Sequence, residues 1–306
     1  MTVSHNAERA GYCLRRVCVI IPTFRPTLTL VERVAALSTR YEVVVLDDDP
    51  GGAGASEVLA RIGCLRAVTL LRNHTNLGIA ATLNRGVRHG LQTGCEGVVT
   101  LDQDTDIGPV FVEQLLAHAG SPDLGVIGPG NIDGVAYGSE VRAGLQEPYE
   151  ILQSGMYIPA GTFARVGLFD EGLFIDSVDT DFCLRVRDAG LKVYAVVGLD
   201  MQHQLGGSRK RSFRRGRYRP VATDHPPFRW YYIIRNRLVV LRRYGARYPR
   251  WALVSFRRLV VAVALALTVE QGRMRKLLAM AWGAYHALVG RAGPAPQRIS
   301  RDVRTC

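Results

Sequence analysis

Short apolar runs alternate with segments of helical period through the first two hundred residues. Val17-Cys18-Val19-Ile20-Ile21 is continuously apolar and is stopped by Pro22-Thr23, which predicts a strand buried on both faces. Leu30, Val31, Val34 and Leu37 recur at helical spacing. Tyr41 to Leu46 predicts a second strand, ending at Asp47-Asp48-Asp49, and a loop follows from Pro50 to Gly54. A short helix is expected over Glu57–Ile62, a strand over Ala67–Leu71, a helix from Ile79 to His89 and a strand over Val98–Leu101. Further along, helices are expected over Phe111–Ala119, Thr162–Val166 and Asp179–Ala189, with strands at Gly125–Gly128, Ile151–Ile158 and Lys192–Val197. Such alternation predicts an α/β fold with a mostly parallel central sheet flanked by helices.

The pattern changes after Phe228. Trp230–Tyr244 and Trp251–Val269 read as helices, apolar on one side and Arg-rich on the other. The purely apolar run Leu259–Val269 has eleven residues. Crossing a bilayer takes about twenty, so the expectation is packing helices or an amphipathic face lying on an anionic membrane. The chain thus divides into a sheet domain over 16–227 and a helical extension over 228–290, with flexible tails at 1–15 and 291–306.

Charge sharpens this division. The net charge is +12, and Arg and Lys crowd residues 209–258. An anionic partner is implied: a nucleotide, an acidic membrane or a nucleic acid. Six cysteines form no CxxC pair, and the N-terminus has no apolar signal core, which together suggest reduced thiols in a cytoplasmic protein.

The candidate chemistry gathers where strands end. Val98 to Leu101 runs straight into Asp102-Gln103-Asp104-Thr105-Asp106. Acids just past a strand's carboxyl end lie where open α/β sheets bind ligands. Asp102 and Asp104, one residue apart, offer hard oxygen donors suited to Mg²⁺ or Mn²⁺ carrying a diphosphate. Asp106 fits a turn or helix cap. Asp47 could accept a hydrogen bond from a uracil or thymine imide, or serve the turn with Asp48 and Asp49. Asn76-Leu77-Gly78, with Asn84 and Gly86, is a loop entering a helix, which suits phosphate or a plain capped helix. Asp176, Asp179 and Asp181 cluster at the start of a helix, more acids than capping needs, and one could be a general base. His203, past the last strand, could close a metal site or touch phosphate.

These motifs, with Gly167-x-Phe169-Asp170-Glu171, occur in an order that resembles inverting family 2 glycosyltransferases of the GT-A (Rossmann-like) fold. Leu101-Asp102-Gln103-Asp104-Thr105 and Phe174-Ile175-Asp176-x-x-Asp179-x-Asp181-Phe182-Cys183-Leu184-Arg185 are most similar to the bacterial rhamnosyltransferase branch. The likeness covers about residues 16–245. It implies a nucleotide-sugar donor, with dTDP-L-rhamnose first and UDP-galactofuranose or other UDP-sugars as alternatives. It also implies a hydroxyl acceptor on a saccharide or lipid-linked saccharide of the cell surface, met at the inner face of the cytoplasmic membrane. By the same likeness Asp104 is a metal ligand, and Asp102 touches ribose or metal. Asp47 reads the base in a pocket lined by Pro22 and Thr23, and Gln103, Asn76, Gly78 and Asn84 belong to the nucleotide-sugar site. Asp179 stands at the base position, with Asp176 and Asp181 as rivals, and His203 matches a late metal-binding histidine. Val178 departs from the acid common before that base.

Three other readings compete. A nucleotidyltransferase would also use strand-end acids, but no Gly-rich, Lys-bearing loop follows the first strand. Arg209–Arg219, with Phe213 and Tyr218, has the make-up of a nucleic-acid surface or of a basic lid over an anionic donor. Clustered acids would repel nucleic acid, so none is expected as a partner. A catalytically dead scaffold would have little reason to retain every acid position.

Overall fold

A computed structural model describes residues 16–51, 55–132, 134–137, 144–201, 211–212, 221–222 and 225–296. The expected tail 1–15, residues 297–306, His203 and most of the basic 209–219 segment lie outside the described residues.

The chain runs β1 (Val17–Thr23), α1 (Thr29–Ser38), β2 (Glu42–Asp47), α2 (Ser56–Gly63), β3 (Val68–Arg72), α3 (Gly78–Gln92) and β4 (Gly97–Thr100). Next come α4 (Pro109–Leu116), β5 (Leu124–Ile132), β6 (Val135–Ala136), β7 (Leu145–Gln146), β8 (Met156–Pro159), α5 (Ala160–Val166), α6 (Val178–Asp188) and β9 (Lys192–Met201). A small antiparallel pair, β10 (Arg211–Ser212) and β11 (Val221–Ala222), precedes α7 (Pro227–Tyr244), α8 (Pro249–Thr268) and α9 (Arg273–Leu288).

The central sheet has the order β3-β2-β1-β4-β8-β5-β9-β7. β3, β2, β1 and β4 are mutually parallel, as are β5 and β9. β8 runs antiparallel to both β4 and β5, so the sheet is mixed rather than mostly parallel. Only the end of the expected Ile151–Ile158 strand pairs. Gln153-Ser154-Gly155 makes a turn instead, with Gly155 at φ 78°.

Continuous apolar runs form β1 because both faces are covered. Val17, Val19 and Ile21 point into one core, with α1, α2 and α4. Cys18 and Ile20 point into the other, with α3 and α6. A chain that leaves β1 for β2 on one side and returns as β4 on the other opens a crevice at the strands' carboxyl ends. Doubly wound sheets bind ligands there.

Two features escaped the periodicity. α9 lies inside the helical extension expected over 228–290 but was given no bounds of its own, because its apolar residues lie on its exposed as well as its buried face and no single period stands out. Residues 291–296, expected in a tail, are docked: Gly293 N donates to the Gly172 carbonyl and Ala295 N to the Tyr232 hydroxyl. α8, at 20 residues and mean hydropathy 1.7, is also longer and more apolar than its eleven-residue run suggested.

α3 rests directly on β1 at Gly86, where an added Cβ would stand 2.4 Å from Ile20 Cγ2 and 3.0 Å from Leu46 Cδ1. Gly86→Ala is therefore expected to destabilise the fold by about 1–3 kcal/mol in thermal or urea unfolding. Gly161→Ala, with nothing within 4 Å, should leave the midpoint nearly unchanged.

Candidate active site

The crevice is walled first by strand ends. Thr23 and Asp47 are register partners at the ends of β1 and β2, both buried, and the Thr23 hydroxyl donates to the Leu46 carbonyl at 3.2 Å. Burial pushes the Asp47 carboxyl above the ordinary carboxylate range, against a hydrogen bond from Asp49 N. Across the switch point, Asp102 follows β4, and its backbone N–H donates to Ser154 Oγ at 2.9 Å. Asp104 has no ion pair among the described residues but lies in the field of Arg229. Asp106 is exposed near Arg33.

Four residues expected at the nucleotide-sugar site are spent on the scaffold. Gln103 Nε2 donates to the Phe24 carbonyl and its Oε1 accepts from Phe24 N, pinning the loop after β1. Asn84 is buried, donates to the Phe169 carbonyl and to Glu171, and accepts from Phe169 N. Asn76 Oδ1 accepts from Gly78 N within its own turn. The amides of Leu77 and Gly78, which a phosphate would need, donate to the Asp48 carboxylate at 2.8 and 2.9 Å. Gly78 has φ 80°, and an added Cβ would stand 2.6 Å from Phe174, so its glycine serves close packing. The loop thus reads as a capped helix rather than a free phosphate cradle.

The three acids around α6 have different fates. Asp181 is buried between Arg185, Arg243 and the Tyr244 hydroxyl, each within 3.0 Å, which removes it from any substrate. Asp176 is half-buried and paired with Arg229 at 3.1 Å. Asp179 lines the cleft with its Oδ1 accepting from Thr180 N. Burial, and then the neighbouring Glu150 carboxylate, push its pKa up to about 6, while Arg237 pulls the other way. A carboxylate so tuned can take a proton near neutral pH.

Buried polar residues of α7 hold this acid-bearing loop. Phe174, Asp176 and Ser177 all have positive φ near +60°, which non-glycine residues seldom adopt; Ser177 is left-handed helical, whereas Phe174, at ψ −62°, is not. Asn236, fully buried, sends its Nδ2 to the carbonyls of Leu173, Ile175 and Asp176 at 2.7, 2.6 and 2.9 Å. Arg235 Nε holds the Asn236 Oδ1 at 2.8 Å, which sets that orientation. The Arg235 guanidinium also donates to the carbonyls of Gly172, Leu173 and Gly293, and packs against the rings of Tyr231 and Tyr232.

The result is a cleft of about 990 Å³ between the sheet and the helical extension. Asp102 lies on its wall together with Asp176 and Asp179, while Tyr149, Arg237 and Trp251 close other sides. Polar groups beside aromatic and apolar walls suit a saccharide. Sequence reasoning missed Glu150, Ser154, Arg229, Arg235, Asn236 and Arg237. For the α7 residues a signal existed: polar positions interrupt a helix otherwise dense in Trp, Tyr and Ile. Among the described residues no third His, Cys, Asp or Glu joins Asp102 and Asp104 in a metal cluster.

Residues 18–157 match the family model for glycosyl transferase family 2. A curated relative, dTDP-rhamnosyl transferase RfbF of Shigella flexneri, is 29% identical over 246 residues, 74% of this chain and 80% of the relative. Among solved structures, the fold is similar to mannosyltransferase PcManGT from Pyrobaculum calidifontis, in complex with GDP-Man and Mn²⁺. That likeness has a TM-score of 0.56 at 15% identity and covers 90% of this chain and 86% of that one. It is also similar to residues 1–349 of S. aureus TarS in complex with UDP-GlcNAc, with a TM-score of 0.54 at 16% identity, covering 94% of this chain and 84% of that one.

Asn236→Ala removes the side-chain donor shared by three loop carbonyls, of which that of Leu173 keeps Arg235. It is expected to lower stability by about 2–3 kcal/mol and to speed amide hydrogen exchange across 173–178 ahead of the rest of the sheet domain. Equal protection in that loop would rule out the clamp.

Proposed function

We propose that this chain, which matches the glycosyl transferase family 2 model over residues 18–157, is a glycosyltransferase of that family and carries out a metal-dependent, inverting transfer of L-rhamnose from dTDP-L-rhamnose to an acceptor hydroxyl. One observation carries the reading: the strand-end acid Asp102 and the raised-pKa acid Asp179 line one cleft large enough for a donor and an acceptor. The relative named for dTDP-rhamnosyl transfer favours the donor. UDP-galactofuranose or another UDP-sugar is the alternative donor. The acceptor is a saccharide, or a saccharide on a lipid, in cell-surface polysaccharide or glycolipid synthesis. The enzyme then works at the inner face of the cytoplasmic membrane.

In this reading Pro22, Thr23 and Asp47 surround the base, with the Asp47 carboxyl facing the thymine imide. Asp102 and Asp104 hold Mg²⁺ or Mn²⁺, with His203 as a further ligand; the neighbour solved with GDP-Man and Mn²⁺ is consistent with a divalent ion. The bound ion would neutralise charge developing on the leaving diphosphate. Asp179 accepts the proton of the acceptor hydroxyl. The oxygen then attacks the anomeric carbon in line, the bond to the diphosphate oxygen breaks, and the configuration inverts. Arg229, held by Asp176 and lying in the field of Asp102 and Asp104, adds positive charge beside the departing group.

The decisive experiment is donor binding and turnover with dTDP-rhamnose, UDP-galactofuranose and UDP-glucose, each with Mn²⁺ or EDTA. Binding of dTDP-rhamnose should require metal and be lost in Asp104→Ala; binding of none of them would end the transferase reading. Asp179→Asn should keep donor binding while turnover falls by roughly 10²-fold or more.

The pH behaviour follows from the raised Asp179 carboxyl. In the wild type, kcat should rise with pH through about 6, as the carboxylate forms. Burial makes ionisation harder in the fold than in the unfolded chain, so this residue costs stability once pH exceeds its ordinary value of 3.8. Asp179→Asn should therefore raise the melting temperature at pH 8 and change it little at pH 3.5. No gain at pH 8 would contradict the buried-carboxylate assignment.

A further inference from the structure

α9 carries an apolar face that none of the described residues covers. Met274, Leu278, Trp282, Tyr285 and Leu288 share one side of the helix and are all exposed, Met274 at 76% and Leu288 at 78%. From Leu277 to Leu288 the helix has no Lys, Arg, Asp or Glu. α8 adds a second row, Leu253, Phe256 and Val260, exposed at 63, 51 and 50%. The two helices share a core with α7 through Ala266, Ala279 and Met280, so both rows belong to one packed unit. Contiguous exposed apolar surface of this kind marks an interaction site.

We propose that this α8–α9 surface lies on an anionic lipid bilayer and keeps the cleft beside the lipid headgroups. The inference rests on the membrane-associated reading above and names the surface responsible. Charge decides the occupant. Residues 228–290 carry eleven Arg and one Lys against a single acid, Glu270. Asp176, Glu150, Asp170 with Asp181, and Asp188 engage Arg229, Arg237, Arg243 and Arg247, while Glu270 holds Lys276. Arg250, Arg257 and Arg258 are exposed and make no ion pair among the described residues. A second copy would bring the same uncompensated positive rim against this one, whereas anionic headgroups complement it. Trp282 and Tyr285 are the residue types that settle at the headgroup level.

The geometry favours lying on the membrane over crossing it. α8 passes the length and hydropathy test for a span. Arg257 and Arg258, however, sit mid-helix, where a bilayer centre would penalise each by about 2.5–3.5 kcal/mol. Trp251 at its start is buried against Leu184, Val240 and Tyr244 in the body of the protein. The same helix lines the cleft through Arg250, Trp251, Val254 and Arg258. α8 therefore joins the lipid-facing surface to the cleft, and a lipid-linked acceptor would reach Asp179 with its tail still in the membrane.

The test is flotation of the full chain with vesicles of phosphatidylcholine alone or with phosphatidylglycerol, at low and high salt. Binding should be roughly tenfold stronger to the anionic vesicles and weakened by salt. Met274→Glu with Leu288→Glu, at exposed positions outside the cleft, should cut that binding by roughly tenfold or more while leaving nucleotide-sugar binding and the thermal midpoint unchanged. Vesicle binding equal to wild type in this variant overturns the proposal. So does a dimer in light scattering that the two substitutions dissociate, which would assign the face to a second copy. Donor binding without flotation sinks the surface alone. Flotation without donor binding sinks the transferase reading alone.

Discussion

The acid-bearing loop before α6 exists in its observed form because its carbonyls have somewhere to go. Positive-φ, non-glycine residues such as Phe174, Asp176 and Ser177 cost of order 1–3 kcal/mol apiece and persist only where the surroundings hold them. Asn236 and Arg235 supply the donors from α7. Gly78 meets the loop from the other side, with Phe174 packed where a side chain would otherwise stand. The positions of Asp176 and Asp179 follow from that clamp. Asp181, buried beneath with two arginines and a tyrosine hydroxyl, anchors the start of α6 to α7.

The sequence made the first half of the fold legible because its strands are short, apolar on both faces and separated by helical period. The placement of acids at strand ends was equally readable, since Asp47 and Asp102 each follow an unbroken β-prone run. The partnerships were not. Asn84 and Gln103 look like ligand residues in one dimension, yet each bonds to backbone that only the fold brings near, Gln103 reaching Phe24 across 79 positions, while Asn76 closes its own turn on Gly78. Asp176, Asp179 and Asp181 were equivalent by spacing. Burial and arginine contacts, contributed by a helix fifty residues later, separate them. The bounds of α9 inside the expected helical extension were not readable, because a helix apolar on two faces has no polar side to set its phase.

The helical extension is better described as half of the cleft than as an appendage. Its arginines pair with carboxylates of the sheet domain, and Tyr244 and Trp251 share a core with Leu184 of α6. Positive charge that looks like a single basic patch in the sequence is divided. One part neutralises acids inside the protein, and the remainder stays at the exposed edge of α8.

The crossing contacts from α7 have an evolutionary corollary. A helix that lines the cleft while fixing the acid loop by three side-chain hydrogen bonds to its carbonyls cannot be exchanged freely between relatives. A chimera carrying a foreign C-terminal third would inherit new cleft walls, but also a loop cut to another length of clamp. Diversification of such a chain should proceed by drift at the cleft's rim, at positions such as Tyr149 and Val254, rather than by wholesale module shuffling.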